Sequence, residues 1–292
     1  MALASKELQV LGITCVAGNV ELSLTSLNAR KICELAGCNE VPIFEGASRP
    51  LNRDLVTAKH VHGGTGLDGT NLPNPTLQSS KLHAVDFMIE TIMSNEKNEV
   101  TLCALGPLTN IALALQKEPK IAGRLRQVVF MGGGFFEGGN ITPAAEFNIF
   151  VDPEAASEVL ASRIPLIMMP LDLTHKVLTS PKLIDELKSL GNRTGQVTAE
   201  LLDFFGRYDS KKYGSEGAPL HDPNVIVYLL KPEIYAGKLV NVEVEKKSSL
   251  TMGMTVADWW EVTDREKNVV FVKDVKVEEV LNLIVQRLSI LP

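Results

Sequence analysis

The feature that most constrains this chain is an alternation. Short, β-branched apolar runs are each followed by a loop rich in glycine, asparagine, threonine or aspartate, and then by a helical pattern. Residues 8–14 (LQVLGIT) precede VAGN and a helix over about 22–36. The same unit recurs at 100–104 before 108–116, at 127–131 before 153–161, and at 165–169 before 181–190. A strand with a helix on either side buries both of its faces, so the expected fold is α/β, an open, mainly parallel sheet with helices on both faces. Runs at 239–245, 250–255 and 268–272 read as antiparallel or edge strands ahead of a last helix over 277–288. Right-handed crossovers put the loops that follow the strands on one edge of such a sheet, where ligands bind. No repeat or long linker divides the chain, and 292 residues with 45% hydrophobic content can fill one core, so a single domain over 1–292 is expected.

Charge narrows the function. A net charge of -6 argues against a basic footprint for nucleic acid or for an anionic membrane. No run approaches the roughly 20 apolar residues of a membrane-spanning helix, and no basic-then-apolar leader opens the chain, which points to a cytoplasmic protein. The four cysteines (Cys15, Cys33, Cys38, Cys103) form no CxxC pair and read as reduced, buried thiols rather than zinc ligands or disulfides.

The polar loops carry the chemistry, and each has a plain structural reading beside the functional one. MGGG at 131–134 could cradle an anion, but it lacks a following Lys-Ser or GxGxxG, and a tight turn with close backbone approach is the better reading. In AAEFNIFVDPEAA (144–156), Glu146 and Asn148 are two apart in a segment read as extended, which would aim both toward one cavity and turn Phe147 away. Such a carboxylate and amide can bracket vicinal hydroxyls. Asp152 before Pro153 reads as a helix N-cap. His221 and Asp222 open an apolar helix, where Asp222 is either another N-cap or a metal ligand beside a general acid. His60 and His62 lie in a glycine-rich loop without zinc spacing, while His83 and His175 read as structural.

Taken in order, VAGN, HGGTGLDG, LGPLTN, MGGG with GGN, AEFNIFVDPEAA, PLDLTH and LHDP make the whole chain similar to the inosine-uridine-preferring nucleoside hydrolase family. The resemblance implies a Rossmann-like α/β fold and calcium-assisted hydrolysis of the N-glycosidic bond of ribonucleosides to free base and ribose. It also implies assembly as a homodimer or homotetramer. Matched position by position, Asp222 would bind calcium and a ribose hydroxyl, the Leu105 carbonyl would contact calcium, and His221 would be the acid for the leaving base. Asn140, Glu146 and Asn148 would hold the ribose, with Asn19, His62, Met131 and Phe147 lining the same pocket. A pKa near working pH is expected for His221, and Tyr208 and Tyr213 are candidates to close over a base.

The family pattern opens with a strand ending in an aspartate motif, DxDPGxDD, that matches nothing in this chain, so a first strand is expected to be missing upstream of residue 2. Asp222 and one carbonyl fall short of the about 6 to 8 oxygen ligands that calcium prefers. Poor hydrolysis by the chain as written is therefore expected, and a non-catalytic nucleoside- or ribose-binding protein is the alternative. A phosphorolytic enzyme ranks last, because no Arg or Lys cluster accompanies these loops.

Overall fold

Five strands form the main sheet in the order β3-β4-β5-β9-β6, and two smaller two-stranded sheets, β1-β2 and β7-β8, flank it. The computed structural model describes residues 1–213 and 217–292, with side chains left undescribed at 209–213. The amino-terminal half runs β1 (Ile13–Cys15), α1 (Leu22–Leu35), β2 (Ile43–Glu45), α2 (Lys59–His62), α3 (Ala84–Ser94), β3 (Thr101–Ala104), α4 (Thr109–Lys117) and β4 (Gln127–Met131). It continues with α5 (Phe147–Val151), α6 (Pro153–Leu160), β5 (Leu166–Met169), α7 (Leu171–Thr174), α8 (Pro181–Ser189), α9 (Arg193–Tyr213) and α10 (Pro223–Leu230). The chain closes with β6 (Tyr235–Val240), β7 (Val242–Val244), β8 (Thr255–Ala257), β9 (Val269–Val275) and α11 (Val277–Leu288).

The expected α/β architecture holds. β3, β4, β5 and β9 are mutually parallel, with Val128 opposite both Leu102 and Leu166, and Ile167 opposite Val270. β4 and β5 are buried almost along their whole length because helices cover both faces. The reading of 268–272 as an antiparallel or edge strand holds for the antiparallel pairing but not for the edge. β9 lies inside the sheet, parallel to β5 on one side and antiparallel to β6 on the other, and Val269 and Phe271 are fully buried. Only β6 is the antiparallel edge. The strand expected over 250–255 begins only at Thr255, and residues 8–12 do not join β1.

The sheet is interrupted between its first two units. β1 pairs only with β2 and β3 only with β4, so no backbone ladder joins β1 to β3 among the described residues. A side chain spans the interval instead: Asn110, near the start of α4, donates to the Cys15 carbonyl (2.9 Å) and accepts the Ala47 amide (2.8 Å). The same interruption explains a correction to the cysteines. All four are free, but only Cys15 and Cys33 are buried, while Cys103 on β3 is exposed.

The largest apolar cluster joins Phe130, Met168 and Phe271 on one sheet face to α3, α4 and α6 through Ile92, Ile111 and Val159. A second packs α8 and α11 together around Leu187 and Ile284, and a third holds α10 against β4 through Val225, Val129 and Met131. Among the described residues no helix is long and apolar enough to cross a membrane.

Candidate functional site

The residues matched to the family's site all line one pocket at the carboxyl ends of the parallel strands. Asn19, His62, Leu105, Met131, Asn140, Glu146, Phe147, Asn148, His221 and Asp222 converge there, from segments that span most of the chain. Crossover topology brings most of them together, in loops or first helical turns after strands, while Met131 ends β4 and His221 and Asp222 enter from the segment between α9 and α10. A larger depression beside Lys182, Glu186 and Val285 is open to solvent and has no comparable set of converging polar groups.

Glu146 is held differently from expectation. The segment from 146 is not extended; it starts α5, and Glu146 is its N-cap. Its Oε1 accepts the Asn148 amide (2.9 Å), and its Oε2 accepts the amides of Gly133 (2.9 Å) and Ile149 (3.2 Å). The chain turns helical because those amides need an acceptor and the buried carboxylate supplies one. Glu146 and Asn148 still reach the same cavity, as the N-cap and second residue of a helical turn rather than by strand alternation. Burial pushes the Glu146 carboxyl up to about 7, against the pull of four backbone amides, those of Asn148 and Gly133 foremost.

MGGG proves to be the close-approach turn. Gly133 has φ +75, and a Cβ there would lie 2.2 Å from the Met168 methyl and 2.9 Å from Thr255 Oγ1. Glycine lets the loop pass under Thr255, whose hydroxyl donates to the Gly134 carbonyl (2.7 Å). Asn148 donates its side-chain amide to the Met131 carbonyl (3.1 Å), which locks α5 to the end of β4. Asn140 Oδ1 accepts the Phe147 amide (2.9 Å).

The two Asp-Pro pairs, alike in sequence, part company here. Asp152 is fully buried and caps α6: its carboxylate accepts the amides of Ala155 (3.1 Å) and Leu51 (2.9 Å) and the Thr109 hydroxyl (2.7 Å). Asp222 occupies the N-cap position of α10 but caps nothing with its side chain. Burial, reinforced by Glu146, raises its carboxyl to about 7. A half-buried carboxylate that serves no amide and faces a second acid is available for a ligand.

His221 contradicts one expectation. Burial, then the neighbouring His175 and His62, push its pKa down to about 3, so the ring is neutral at working pH. Its Nδ1 lies 2.8 Å from the Thr174 hydroxyl. Burial and His60 likewise bring His62 down to about 4. The 59–62 stretch, read as a loop, is the short α2, and the His62 ring stacks on Phe205 of α9 (5.5 Å, 17°).

Several pocket residues were not legible beforehand. His175, read as structural, lines the pocket with its ring 5.9 Å from His221. Tyr208, a candidate from the sequence, does line the pocket, and the unexpected His60 and Phe205 complete an aromatic wall with it, His60 edge-on to Tyr208 at 5.6 Å. The pairing of α2 with α9 brings His60 and His62 to Phe205 and Tyr208, and no local pattern announces it. The Tyr213 side chain lies outside the described residues. His83 is structural, capping α3 through Nδ1 at 3.3 Å.

The residues present do not complete a calcium site. Asp222 and the Leu105 carbonyl fall well short of about 6 to 8 oxygens, and among the described residues no three His, Cys, Asp or Glu side chains converge as metal ligands.

Comparison with known proteins follows the same lines. The family model described as inosine-uridine preferring nucleoside hydrolase matches residues 1–282. An uncharacterized protein of Schizosaccharomyces pombe is 50% identical over 292 residues, covering 100% of this chain and 94% of its own. The pyrimidine-specific ribonucleoside hydrolase RihA of Photobacterium profundum is 44% identical over 290 residues, covering 99% and 93%. Among solved structures, the purine-preferring ribonucleoside hydrolase from Gardnerella vaginalis superposes with a TM-score of 0.92 at 29% identity, covering 99% of this chain and 92% of that one.

Proposed function

The chain belongs to the inosine-uridine preferring nucleoside hydrolase family and is a ribonucleoside hydrolase, and we propose that its pocket divides into a ribose floor and a base-facing wall. Glu146, Asn148 and Asn140 hold the ribose hydroxyls, Asp222 stands at the floor, and His221 faces the departing base. Hydrolysis adds the hydroxyl of water to the anomeric carbon and the remaining proton to the base, while the bond electrons leave with the base nitrogen. Positive charge accumulates on the sugar in such a reaction, and buried carboxylates beside it become more favourable as it grows. A neutral His221 contributes as a hydrogen-bond donor to the base, where negative charge develops, without a standing cation of its own.

The observation that carries this reading is the Asp222 carboxylate: it sits at a helix start beside Pro223, caps no amide, and shares the pocket with Glu146. Asp222 and the Leu105 carbonyl are the groups this chain offers to a calcium ion. Such an ion would supply Lewis acidity toward water and ribose hydroxyls. No step above depends on it.

Pyrimidine ribonucleosides are the preferred substrates in this reading, because relatives named pyrimidine-specific are 41–44% identical, whereas the purine-preferring neighbour is 29% identical. The aromatic wall of His62, Phe205 and Tyr208 can stack either base. Four free cysteines accord with action in the cytoplasm, and exposed Leu250, Trp260 and Val262 accord with a homodimer or homotetramer.

The test is release of free base from uridine, cytidine and inosine, with calcium and with a chelator. Release of uracil ahead of hypoxanthine supports the reading. Nucleoside binding without any base release would return the pocket to a binding role, and undiminished turnover in chelator would remove calcium.

A further inference from the structure

The PLDLTH segment (170–175) stood out in the sequence without a function, and in the fold it touches the site twice. Asp172 accepts backbone amides from the 135–137 loop. Two residues on, Thr174 is fully buried at the end of α7, and its hydroxyl lies 2.8 Å from His221 Nδ1.

We propose that Thr174 is a positioning residue that fixes the tautomer of His221, holding the ring proton on Nε2 so that this nitrogen donates to the departing base. The inference rests on the assignment of His221 to the base.

The argument is one of counting donors. A threonine hydroxyl has one proton to give, and His221 Nδ1 is the only hydrogen-bond partner of this hydroxyl among the described residues. If Nδ1 carried the proton and donated to Thr174, the hydroxyl proton would be buried with no acceptor, which costs the desolvation of a donor. If the hydroxyl donates to Nδ1, both groups are satisfied, and a neutral ring must then carry its proton on Nε2. The second arrangement also orients the ring. His221 precedes α10, whose Val225 belongs to the same buried apolar cluster as Leu171 and Leu173 of α7, so the two ends of the hydrogen bond are held by elements of one core. A wrong tautomer would present a bare Nε2 lone pair to a base gaining electrons, which repels where donation is needed.

Two measurements test this. In 15N-labelled protein, the His221 ring signals are identified by their loss in His221→Gln, and their shifts report which nitrogen carries the proton whether or not substrate turns over. The wild-type ring should carry it on Nε2, the nearly isosteric Thr174→Val should shift the population toward Nδ1, and Thr174→Ser should restore it. In parallel, kcat is compared for uridine and for a riboside with a nitrophenolate leaving group, which departs without help from an acid. Thr174→Val should lower kcat for uridine by about 10- to 100-fold, with little change in KM and little change for the nitrophenyl riboside. A His221 ring that keeps its Nε2 proton in Thr174→Val, or equal slowing of both substrates, overturns the role of Thr174. Unchanged uridine turnover in His221→Gln is a different result, and it overturns the base assignment together with the inference built on it.

Discussion

The Asp172 carboxylate accepts the Phe136 amide at 2.6 Å, and the neighbouring amides of Phe135 and Glu137 at 2.9 and 3.1 Å. Three consecutive donors on one buried carboxylate make a clamp that begins the loop leading to Asn140. Removing its negative charge while keeping its size should release the loop without emptying the core. Asp172→Asn places an NH2 group against at least one of these amides and leaves it unpaired. The expected result is a rise of about 10-fold in KM for uridine, by analogy with other groups that support a site indirectly, and a lower melting temperature. Steady-state kinetics and a thermal melt check it, and an unchanged KM would separate the loop from ribose binding.

Glu146 ties stability to pH. Its carboxyl is raised to about 7 in the folded protein from an ordinary 4.5. Below about 4.5 both folded and unfolded states hold the proton, so its contribution is fully present; as pH rises toward 7 the unfolded chain releases the proton first and that contribution is lost. Glu146→Gln removes the penalty. Measured by urea unfolding in chelator, the variant should match the wild type near pH 4 and exceed it at pH 8 by about 1 to 3 kcal/mol, while ribose binding is lost. Parallel stability curves across that range would rule the ionisation penalty out.

Phe205 lies between two histidines of the pocket, stacked on His62 and edge-on to His221 at 6.5 Å. Phe205→Ala should weaken nucleoside binding by about 10-fold, the scale of one aromatic contact of about 0.5–1.5 kcal/mol plus lost burial. Free ribose, which does not reach this wall, should bind unchanged. Equal weakening of ribose and uridine in calorimetry would show that the ring only supports the fold.

What could be read beforehand divides along physical lines. Strands β4 and β5 were legible because both of their faces are buried and continuous apolar runs follow from that. β9 was misplaced because a buried run does not declare its partners: Val269 and Phe271 look the same whether the strand is central or at an edge. The proposed ribose set came from the resemblance to the family, with Glu146 and Asn148 also singled out by their spacing, yet the conformation of Glu146 was misjudged, since its capping bonds to Gly133 and Ile149 exist only once the loop after β4 folds back. His62 was expected in the pocket, but its stacking on Phe205 was not, because the two meet across 143 residues of chain. The ionisation of His221 depends on burial among His175 and His62, which no spacing in the sequence expresses.

The two Asp-Pro pairs provide the sharpest contrast between a structural and a functional carboxylate. Asp152 spends its oxygens on two amides and a hydroxyl, so Asp152→Ala leaves three buried donors without an acceptor and removes a helix cap. A loss of about 2 to 4 kcal/mol is expected, seen as a lower urea midpoint, with kcat/KM nearly preserved in the folded fraction. Asp222 makes no capping bond and carries a carboxyl raised to about 7 by burial and Glu146. Asp222→Asn should therefore leave the fold intact and raise its stability at pH 8, because an unfavourable buried charge is gone. The same variant should lose at least about 100-fold in kcat/KM, the scale of removing a group that acts on the reacting atoms. The pair is measured together, by urea unfolding and by base release from uridine. If Asp222→Asn unfolds more readily than wild type at pH 8, Asp222 is a cap like Asp152, and the floor of the pocket must be assigned to other groups.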